Sequence, residues 1–493
     1  MNNFENYEVW FITGAQLLYG GDAVVAVDGH SNEMVKGLNK SGNLPVKVVY
    51  KGTVNSSKEV TEAFKKANND DKCIGVITWM HTFSPAKMWI HGLQEFRKPL
   101  LHLHTQFNEE IPWNTMDMDF MNLNQSAHGD REHGFIGARL RLSRKIAAGH
   151  YSDPVFRQKV ADFTRSAAGV YESRKLKVCR FGDNMRNVAV TEGDKVEAEI
   201  KLGWSVNTWG VGDLIKLVNG VTDSELKEKM DEYKNRYTLP EGSLEAVEVQ
   251  AKMDVAIGKF MKKGGFGAFT DTFEDLQELR QLPGLATQNL MYDGFGFGGE
   301  GDWKTAAMVR IMKLMSEGLN GGTCFMEDYT YHLDPDNEGV LGAHMLEVDP
   351  SIAVTKPAIE VHPLGIGDRE PPARLCFEAG EGGVIIASLI DVGGRFRLIV
   401  AEAKAVKPFQ NMPKLPVAQV MWKPLPDLST SAEAWILAGG AHHTVMSYSL
   451  SVQNMADFAE FLGVEFIHIG AHTKIEDLKK ELMWNDLAFK FSN

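Results

Sequence analysis

Several features that mark other classes of protein are missing from this sequence of 493 residues. Its four cysteines are widely dispersed and contain no CxxC pair, which argues against a disulfide framework and a zinc ribbon. We therefore expect reduced core thiols at Cys73, Cys179, Cys324 and Cys376. Because 65 acidic residues outnumber 52 basic ones, the net charge of -13 disfavours polyanion binding, and nucleic acid is not an expected partner.

Segments for export or membrane insertion are also missing. The amino-terminal sequence MNNFENYEVWF has no basic region followed by an apolar core, and no apolar run approaches the length of a membrane span. We therefore expect a cytoplasmic protein without membrane contact. A chain of this length exceeds the usual size of one hydrophobic core, so it should contain two or three domains.

The first part of the chain alternates short apolar runs, such as VWFIT, VKVVY and IGVITWM, with amphipathic segments. This alternation predicts an α/β domain with a doubly wound parallel sheet. Ligands of such sheets bind beyond the carboxyl ends of the strands. The residues that follow the predicted strands are Gln16, Leu18, His81, Phe83 and Gln106.

A nucleotide site is one alternative for this domain, because GAQLLYGG at 14–21 superficially resembles a phosphate-binding loop. The segment lacks the GxGxxG spacing, and bulky Leu and Tyr stand where the backbone must approach phosphate closely. Nucleotide binding is therefore not expected. Gln125 and His128 lie in a later polar segment, where such side chains are usually surface or capping groups.

Changes of pattern along the chain predict domains at 1–175, 176–322 and 323–493. The central domain should be a second α/β unit, with a long helix from about Ser243 to Lys263. The last domain is rich in short strands and glycines, which favours a β-rich, barrel-like fold or a sandwich.

Two carboxylates and one imidazole, those of Glu300, Glu327 and His344, lie near the predicted boundary between the last two domains. Asp302 should cap a helix over 303–317 that buries one apolar stripe, which would place Glu300 in the preceding turn. Strands over 323–331 and 340–348 should form a hairpin around the turn DPDN.

A symmetric hairpin would place Glu327 opposite His344, with Cβ atoms about 5 Å apart, a distance that suits two ligands of one metal ion. A slip of one residue would send one side chain to the other face. The alternative interpretation is two solvated polar residues on an exposed sheet.

A pair of adjacent histidines follows in WILAGGAHHT, which we interpret as a strand that changes into a helix at Gly439 and Gly440. Neighbouring residues diverge by about 100° on a helix and 180° on a strand, so only one of His442 and His443 should face a given site. Two Glu and one or two His suit Mn²⁺ or a similar octahedral ion, with positions left for substrate oxygens.

Longer motifs carry a family resemblance. They are GEGDWKTAA at 299–307, GGTCFMEDYTYH at 321–332, LGAHMLEV at 341–348 and GGAHHT at 439–444, together with GAQLLYG at 14–20. These motifs closely resemble those of L-arabinose isomerases, and the resemblance extends over essentially the whole chain. It implies conversion of L-arabinose to L-ribulose, often also of D-galactose to D-tagatose, with one Mn²⁺ per subunit and Co²⁺ as a substitute.

The resemblance also implies roles for individual residues. The implied metal ligands are Glu300, Glu327, His344 and His443, of which Glu300 and Glu327 are also the implied catalytic residues. The implied substrate contacts are Gln16, Leu18, Phe83, Gln125, His128, Met185, Phe273, Ile366 and His442. In that family the amino-terminal contacts reach the active site of a neighbouring subunit in a homohexamer, so one chain would not hold a complete pocket.

Two chemical routes stay open for moving hydrogen between C1 and C2 of an aldose. Glu300 and Glu327 could transfer a proton through a cis-enediol, or a metal-assisted 1,2-hydride shift could avoid using a coordinated carboxylate as base. A metal-dependent hydrolase could use the same ligands to activate water. A sugar-binding module without turnover is the third alternative, disfavoured because polyol recognition alone requires no metal.

Overall fold

The structure is a computed structural model that describes residues 4–40, 44–242, 244–366 and 368–492. Contacts between residues divide the chain into two compact units. The first unit comprises Met1–Tyr171 and Gln453–Gly463, and the second comprises Glu172–Val452 and Val464–Asn493. A short segment from late in the chain therefore belongs to the amino-terminal unit.

A parallel sheet of five strands organises the amino-terminal unit. The strands are β1 (Glu8–Gly14), β2 (Lys47–Val54), β3 (Cys73–Met80), β4 (Leu100–His104) and β5 (Lys145–Ala148). The helices are α1 (Gly21–Lys40), α2 (Ser57–Asn69), α3 (Ile90–Glu95), α4 (Met118–Leu123), α5 (Ser126–Arg139) and α6 (Pro154–Ser173). The strand order is β2-β1-β3-β4-β5, and β3 is buried at every position, as a strand covered on both faces must be. The predicted doubly wound sheet is confirmed.

The strand order reverses direction between β1 and β3. In a doubly wound sheet this reversal opens a crevice at the carboxyl ends of the two strands, because their connections leave toward opposite faces. The segments that border the crevice are residues 15–20 after β1 and residues 81–85 after β3.

Buried histidines are concentrated in this unit. His81, His102 and His133 are at most 3% exposed. The carboxylate of Asp130 accepts hydrogen bonds from His102 Nε2 and His104 Nδ1, both at 3.0 Å. Burial, reinforced by nearby His30, lowers the pKa of His81 to about 3. Burial also holds the pKa of His133 well below its ordinary value of 6.5.

These buried imidazoles predict a stability that falls in acid. Below pH 6.5 the unfolded chain binds protons that folded His81 and His133 do not, so each histidine lowers stability by about 1.4 kcal/mol per pH unit. His104 acts in the opposite sense, because its hydrogen bond to Asp130 raises its pKa. We expect the melting temperature to fall between pH 7 and pH 5, and to fall less steeply in His81→Gln. An equal slope in the variant would contradict this assignment.

A second parallel sheet, of order β7-β6-β8-β9, follows in the other unit. Its strands are β6 (Lys177–Phe181), β7 (Ser205–Trp209), β8 (Ala268–Thr270) and β9 (Gly296–Gly298). Its helices are α7 (Lys195–Leu202), α8 (Val211–Asn219), α9 (Asp223–Arg236), α10 (Glu245–Gly264), α11 (Leu285–Tyr292) and α12 (Trp303–Met315). The predicted central α/β fold is confirmed. Ser243, the predicted start of the long helix, lies outside the described residues, and α10 begins at Glu245.

A closed barrel of six antiparallel strands follows this sheet. The strands of this region are β10 (Thr323–His332), β11 (Gly339–Ala343), β12 (Ala358–Val361), β13 (Ala373–Cys376), β14 (Gly382–Asp391), β15 (Phe396–Val406), β16 (Val420–Pro424), β17 (His443–Ser447) and β18 (Glu465–Ile469). The barrel runs β14-β17-β10-β11-β16-β15 and closes where β15 pairs with β14. The separate hairpin β12–β13 lies outside the barrel, and β18 joins β15 in parallel. The predicted barrel-like fold is confirmed.

Three further helices are α13 (Leu428–Ala438), α14 (Val452–Leu462) and α15 (Ile475–Ser492). Of these, α14 belongs almost entirely to the amino-terminal unit. Asp457 on α14 forms a buried ion pair with Lys145 of β5. In addition, the hydroxyl of Ser166 on α6 donates to the carbonyl of Asn454 at 3.0 Å. Contacts with β5 and α6 thus bind this late helix to a sheet made from the beginning of the chain.

Among the residues that the structure describes, no helix combines the length and apolarity needed to cross a membrane. The thiols of Cys73, Cys179 and Cys324 are free and buried, as predicted, whereas Cys376 is half-buried.

Candidate metal centre

Glu327 reaches the candidate site from β10, although its strand partner is not the predicted one. Beyond the turn the hairpin is symmetric, since His332 pairs with Gly339 and Thr330 with Leu341. An irregularity between Asp328 and Thr330 then shifts the register, and Glu327 pairs with Ala343. The predicted Glu327–His344 pairing is therefore wrong.

His344 still approaches Glu327, because β11 ends at Ala343 instead of continuing to residue 348 as predicted. The chain turns at this point, and His344 Nε2 lies 3.9 Å from Glu327 Oε2. The imidazole is buried, whereas the side chain of Glu327 is 19% exposed. The proximity that the hairpin argument required is present, although it comes from a strand end and not from cross-strand pairing.

Glu300 lies in a tight turn between β9 and α12. Its backbone is left-handed, with φ 61°, and Gly301 follows with φ 82°. Such a conformation is unfavourable for a residue with a side chain, so the surrounding structure must hold it. Gly301 N donates to the carbonyl of Asp271 at 2.7 Å, and Met185 N donates to the carbonyl of Glu300 at 3.0 Å. The two hydrogen bonds clamp the turn from both sides.

Helix α12 begins where predicted, with Asp302 accepting from Thr305 N as its N-cap. The prediction of a single buried stripe is wrong, because eleven of the thirteen residues are buried. The helix contacts strands of the central sheet on one side and strands of the barrel on the other. Burial on both sides fixes the start of the helix, and with it the turn that carries Glu300.

The two adjacent histidines follow a helix, so our interpretation of a strand changing into a helix is wrong. Helix α13 ends at Ala438, where the left-handed backbone of Gly439 caps it, and β17 begins at His443. Because His442 precedes the strand, it does not follow strand alternation. His442 Nε2 lies 3.4 Å and His443 Nε2 3.9 Å from the same Glu300 Oε2. Both imidazoles therefore face Glu300, contrary to our expectation for adjacent residues.

Five side chains converge in this way as two overlapping groups. Ligand atoms of Glu300, His344 and His443 lie within 4.8 Å of one another, and so do those of Glu327, His442 and His443. The groups share His443, which is fully buried. These side chains come from the β9–α12 turn, β10, the end of β11 and the start of β17, so only the fold brings them together.

Each of the two buried imidazoles, His344 and His443, is oriented by a carboxylate that does not belong to the two groups. His344 Nδ1 lies 2.5 Å from Glu347 Oε2, and His443 Nδ1 lies 3.2 Å from Asp302 Oδ2. An Nδ1–H that donates to a carboxylate leaves the Nε2 lone pair free, as in the carboxylate–histidine–metal arrangement. Among the described residues, Nε2 of His443 has no hydrogen-bond partner. A buried acceptor without a donor fits a metal ion.

The electrostatics of the site favour ionised carboxylates. The hydrogen bond from His442 lowers the pKa of Glu300, an effect that burial opposes. Burial would raise the pKa of Asp302, but Lys304 and His443 hold it far below the usual range. Burial would lower the pKa of His344, but Glu347 and the other carboxylates raise it. The possible metal ligands are therefore carboxylate oxygens and imidazole nitrogens, and further carboxylates lie beside the imidazoles. This combination suits a divalent cation.

We expect Glu347→Gln to weaken Mn²⁺ binding about 10- to 100-fold, because a neutral amide holds the His344 Nδ1–H less firmly. Isothermal titration of metal-stripped protein with Mn²⁺ measures the effect. The matched control is Glu360→Gln, which alters a half-exposed carboxylate–imidazole pair with His362 that does not belong to the cluster. Equal affinities in the two variants would contradict the role given to Glu347.

The predicted substrate contacts of this second unit differ in their distance from the cluster. The ring of Phe273 stacks on His344 with centroids 6.1 Å apart. Met185 is tied to the backbone of Glu300 through the hydrogen bond already described. Ile366 lies between β12 and β13, where its side chain is 37% exposed.

The other predicted contacts lie in the amino-terminal unit, at its strand-order reversal. Phe83 stacks on His128 with ring centroids 4.6 Å apart. His128 Nδ1 lies 3.2 Å from Gln125 Oε1. Leu18 is 80% exposed, and Nε2 of nearby Gln16 is buried without a partner among the described residues. The structure thus joins Phe83, Gln125 and His128 into one surface.

Sequence reasoning missed three acidic residues at the candidate metal centre. Asp302 was assigned only as a helix cap, Glu347 was not singled out, and Asp271 carried no signal. Burial, together with Glu347, raises the pKa of Asp271 to about 8. Glu347 could have been found from its spacing, since a carboxylate three residues after a candidate ligand histidine can reach its Nδ1 when the chain turns.

The chain is similar to known proteins over nearly its whole length. Three family models match consecutive parts of the chain. They are the L-arabinose isomerase N-terminal domain over residues 3–175, the L-arabinose isomerase central domain over 177–318 and the L-arabinose isomerase C-terminal domain over 322–465. An L-arabinose isomerase of Anoxybacillus flavithermus is 57% identical, covering 98% of this chain and 97% of its own. One of Geobacillus stearothermophilus is 56% identical, covering 99% of this chain and 100% of its own. One of Thermotoga petrophila is 55% identical over 99% of both chains.

Proposed function

Since this chain belongs to the L-arabinose isomerase family, we propose that it interconverts L-arabinose and L-ribulose, and D-galactose and D-tagatose, with bound Mn²⁺ or Co²⁺. One observation carries the metal dependence: Glu300, His344 and His443 present their ligand atoms within 4.8 Å of one another. The free Nε2 of buried His443 and the carboxylates behind both Nδ1 atoms support it.

Glu300, Glu327, His344 and His443 are the residues proposed to hold the ion, one per subunit. A Mn²⁺ ion there would polarise the sugar carbonyl and lower the pKa of the adjacent hydroxyl. Phe273 restricts the plane of the His344 ring by stacking. His442 is half-exposed beside Glu300, and we assign it to the oxygens of the open-chain sugar.

The two glutamates are proposed to move the proton. One carboxylate removes the proton from C2 of the aldose while the carbonyl oxygen at C1 gains a proton, which gives a cis-enediol. Protonation at C1 and loss of the proton from the C2 hydroxyl then give the ketose. Glu300 suits the role of base because its hydrogen bond with His442 keeps it ionised. Glu327, whose side chain is 19% exposed, is assigned to exchange the second proton with bound sugar.

The direct test is ketose formation from L-arabinose by metal-stripped protein, with and without added Mn²⁺. We expect little turnover without the metal and recovery on its addition, with a product of the same mass as the substrate. A mass increased by one water would indicate a hydrolase. Sugar binding without any product would indicate a binding module.

Isomerisation in D₂O separates the two chemical routes. Proton transfer through the enediol predicts deuterium at C1 of ribulose, because the carboxylate exchanges its proton with solvent. A direct 1,2-hydride shift predicts no incorporation. Mass spectrometry of the ketose after partial conversion measures the label, and its absence would contradict the roles given to the glutamates.

We further propose that the active sites are completed within a homohexamer by Gln16, Leu18, Phe83, Gln125 and His128 of a neighbouring subunit. Exposed apolar side chains support association of this unit with a second copy of the chain. Leu18 is 80%, Trp113 81% and Met118 65% exposed. Exposed Trp, Met and Leu are more typical of interfaces than of solvated surfaces. Native mass spectrometry tests the assembly, and a catalytically active monomer would contradict it.

A further inference from the structure

A hydrogen-bond network underlies the His128 surface. The amide nitrogen of Gln125 lies 3.3 Å from Tyr19 Oη and 3.2 Å from Asn122 Oδ1. The carbonyl oxygen of the same side chain lies 3.2 Å from His128 Nδ1. One glutamine thus connects a residue that follows β1, a residue of α4 and a histidine of α5.

The orientation of the Gln125 amide sets the direction of this network. A glutamine amide has two hydrogens, and Tyr19 Oη and Asn122 Oδ1 accept both. The carbonyl oxygen of Gln125 can only accept, so His128 must donate from Nδ1. In a neutral imidazole the other nitrogen is then an acceptor, which leaves the lone pair of His128 Nε2 available to a ligand.

The acceptor, His128 Nε2, belongs to the most solvent-exposed residue of the network. Tyr19, Asn122 and Gln125 are half-buried, whereas His128 is exposed. Phe83 stacks on the imidazole with an interplanar angle of 28°, which restricts rotation of the ring. The backbone carbonyl of Asn122 also accepts from Thr82 Oγ1 at 2.6 Å, which ties α4 to the segment after β3.

We propose that Tyr19 and Asn122 are positioning residues that orient Gln125 and thereby present His128 Nε2 as a hydrogen-bond acceptor to a hydroxyl of the sugar. This inference rests on the proposed function, which places Gln125 and His128 at the substrate. A hydroxyl group is both donor and acceptor, but a metal centre engages only its oxygen. An acceptor nitrogen would instead engage the hydrogen and so select for the position of a hydroxyl.

The first experiment observes the proton directly. Neutron diffraction of crystals of the deuterated full-length protein at a pH near 8 should show density at His128 Nδ1 and none at Nε2. Deuterium on Nε2 with a bare Nδ1 would overturn the proposal. This readout does not depend on turnover, so it stands apart from failure of the proposed function, which would appear as absence of ketose formation by the wild-type protein.

The second experiment uses Tyr19→Phe combined with Asn122→Leu, which removes both acceptors and leaves the amide of Gln125 free to turn. We expect KM for L-arabinose to rise about 5- to 10-fold, the loss of one hydrogen bond, with kcat within about 2-fold of wild type because the metal ligands are untouched. Asn122→Asp keeps an acceptor oxygen and should retain the wild-type KM. An unchanged KM in the double variant, or a fall in kcat alone, would overturn the positioning role.

A purely structural role gives a different pattern. Loss of packing would lower the melting temperature and reduce kcat and the active fraction together, and Asn122→Asp would not separate from the double variant. Melting curves of all three proteins accompany the kinetics. If the double variant fails to fold, the single variant Tyr19→Phe, which removes one hydroxyl, carries the same test with a smaller expected rise in KM.

Discussion

Glu300→Gln should lower ketose formation from L-arabinose by about 10²- to 10⁴-fold, the range expected for loss of a general acid–base group. Glutamine keeps the size of the side chain and one coordinating oxygen, so sugar binding should partly survive. The variant loses the negative charge of the Glu300 carboxylate, whose pKa is lowered by the hydrogen bond from His442. Initial rates at saturating Mn²⁺, with the metal content of each sample measured, provide the test.

Glu338→Gln is the matched control, because Glu338 lies in the turn between β10 and β11 and not in the cluster. The control should retain wild-type activity. Equal turnover in Glu300→Gln and in wild type, at equal metal content, would remove Glu300 from the reaction. If activity is lost only together with the metal, Glu300 serves as a ligand and Glu327 becomes the remaining candidate base.

Gly298→Ala should damage both stability and metal binding, because β9 lies directly against the first turn of α12. A Cβ on Gly298 would lie 2.5 Å from the carbonyl oxygen of Asp302 and 2.8 Å from Ala306 N. Both are backbone atoms of a buried helix, so neither can rotate away. We expect the free energy of unfolding to fall by about 1–3 kcal/mol, as in other overpacked interiors.

The same substitution should weaken Mn²⁺ affinity, since relief of the clash displaces the turn that carries Glu300. Melting temperature and Mn²⁺ titration of the purified variant measure the two effects. The control is Gly29→Ala on α1, where an added Cβ meets nothing within 4 Å. That change should be neutral or slightly stabilising, because alanine is the better helix former. Wild-type melting and affinity in Gly298→Ala would contradict this explanation.

The sequence predicted the classes of sheet better than the details that place side chains. Alternation of apolar runs with amphipathic segments was enough for two parallel sheets, and the spacing of short strands indicated a barrel or a sandwich. Closure of the barrel was not predictable, because it depends on β17 pairing with β10 on one side and with β14 on the other, and both strands are distant from β17 in the sequence.

At the candidate metal centre, local rules failed where the chain departs from regular structure. The register shift after Asp328 moved Glu327 by one position, and the early end of β11 restored its approach to His344. His442 escaped strand alternation because it precedes β17. The first failure lies at an irregularity inside β10 and the others at strand ends, where propensity and periodicity carry little information. The motif resemblance named the same side chains without requiring any of this geometry.

The return of α14 to the amino-terminal unit has a consequence for biosynthesis. During translation the first sheet emerges from the ribosome long before Asp457 and Asn454 are made, so Lys145 must wait without its buried counter-ion. A nascent chain should therefore hold this unit in an incomplete state until nearly all of the protein has been synthesised. For the same reason, a recombinant fragment cut after residue 171 would lack a helix that belongs to its own fold.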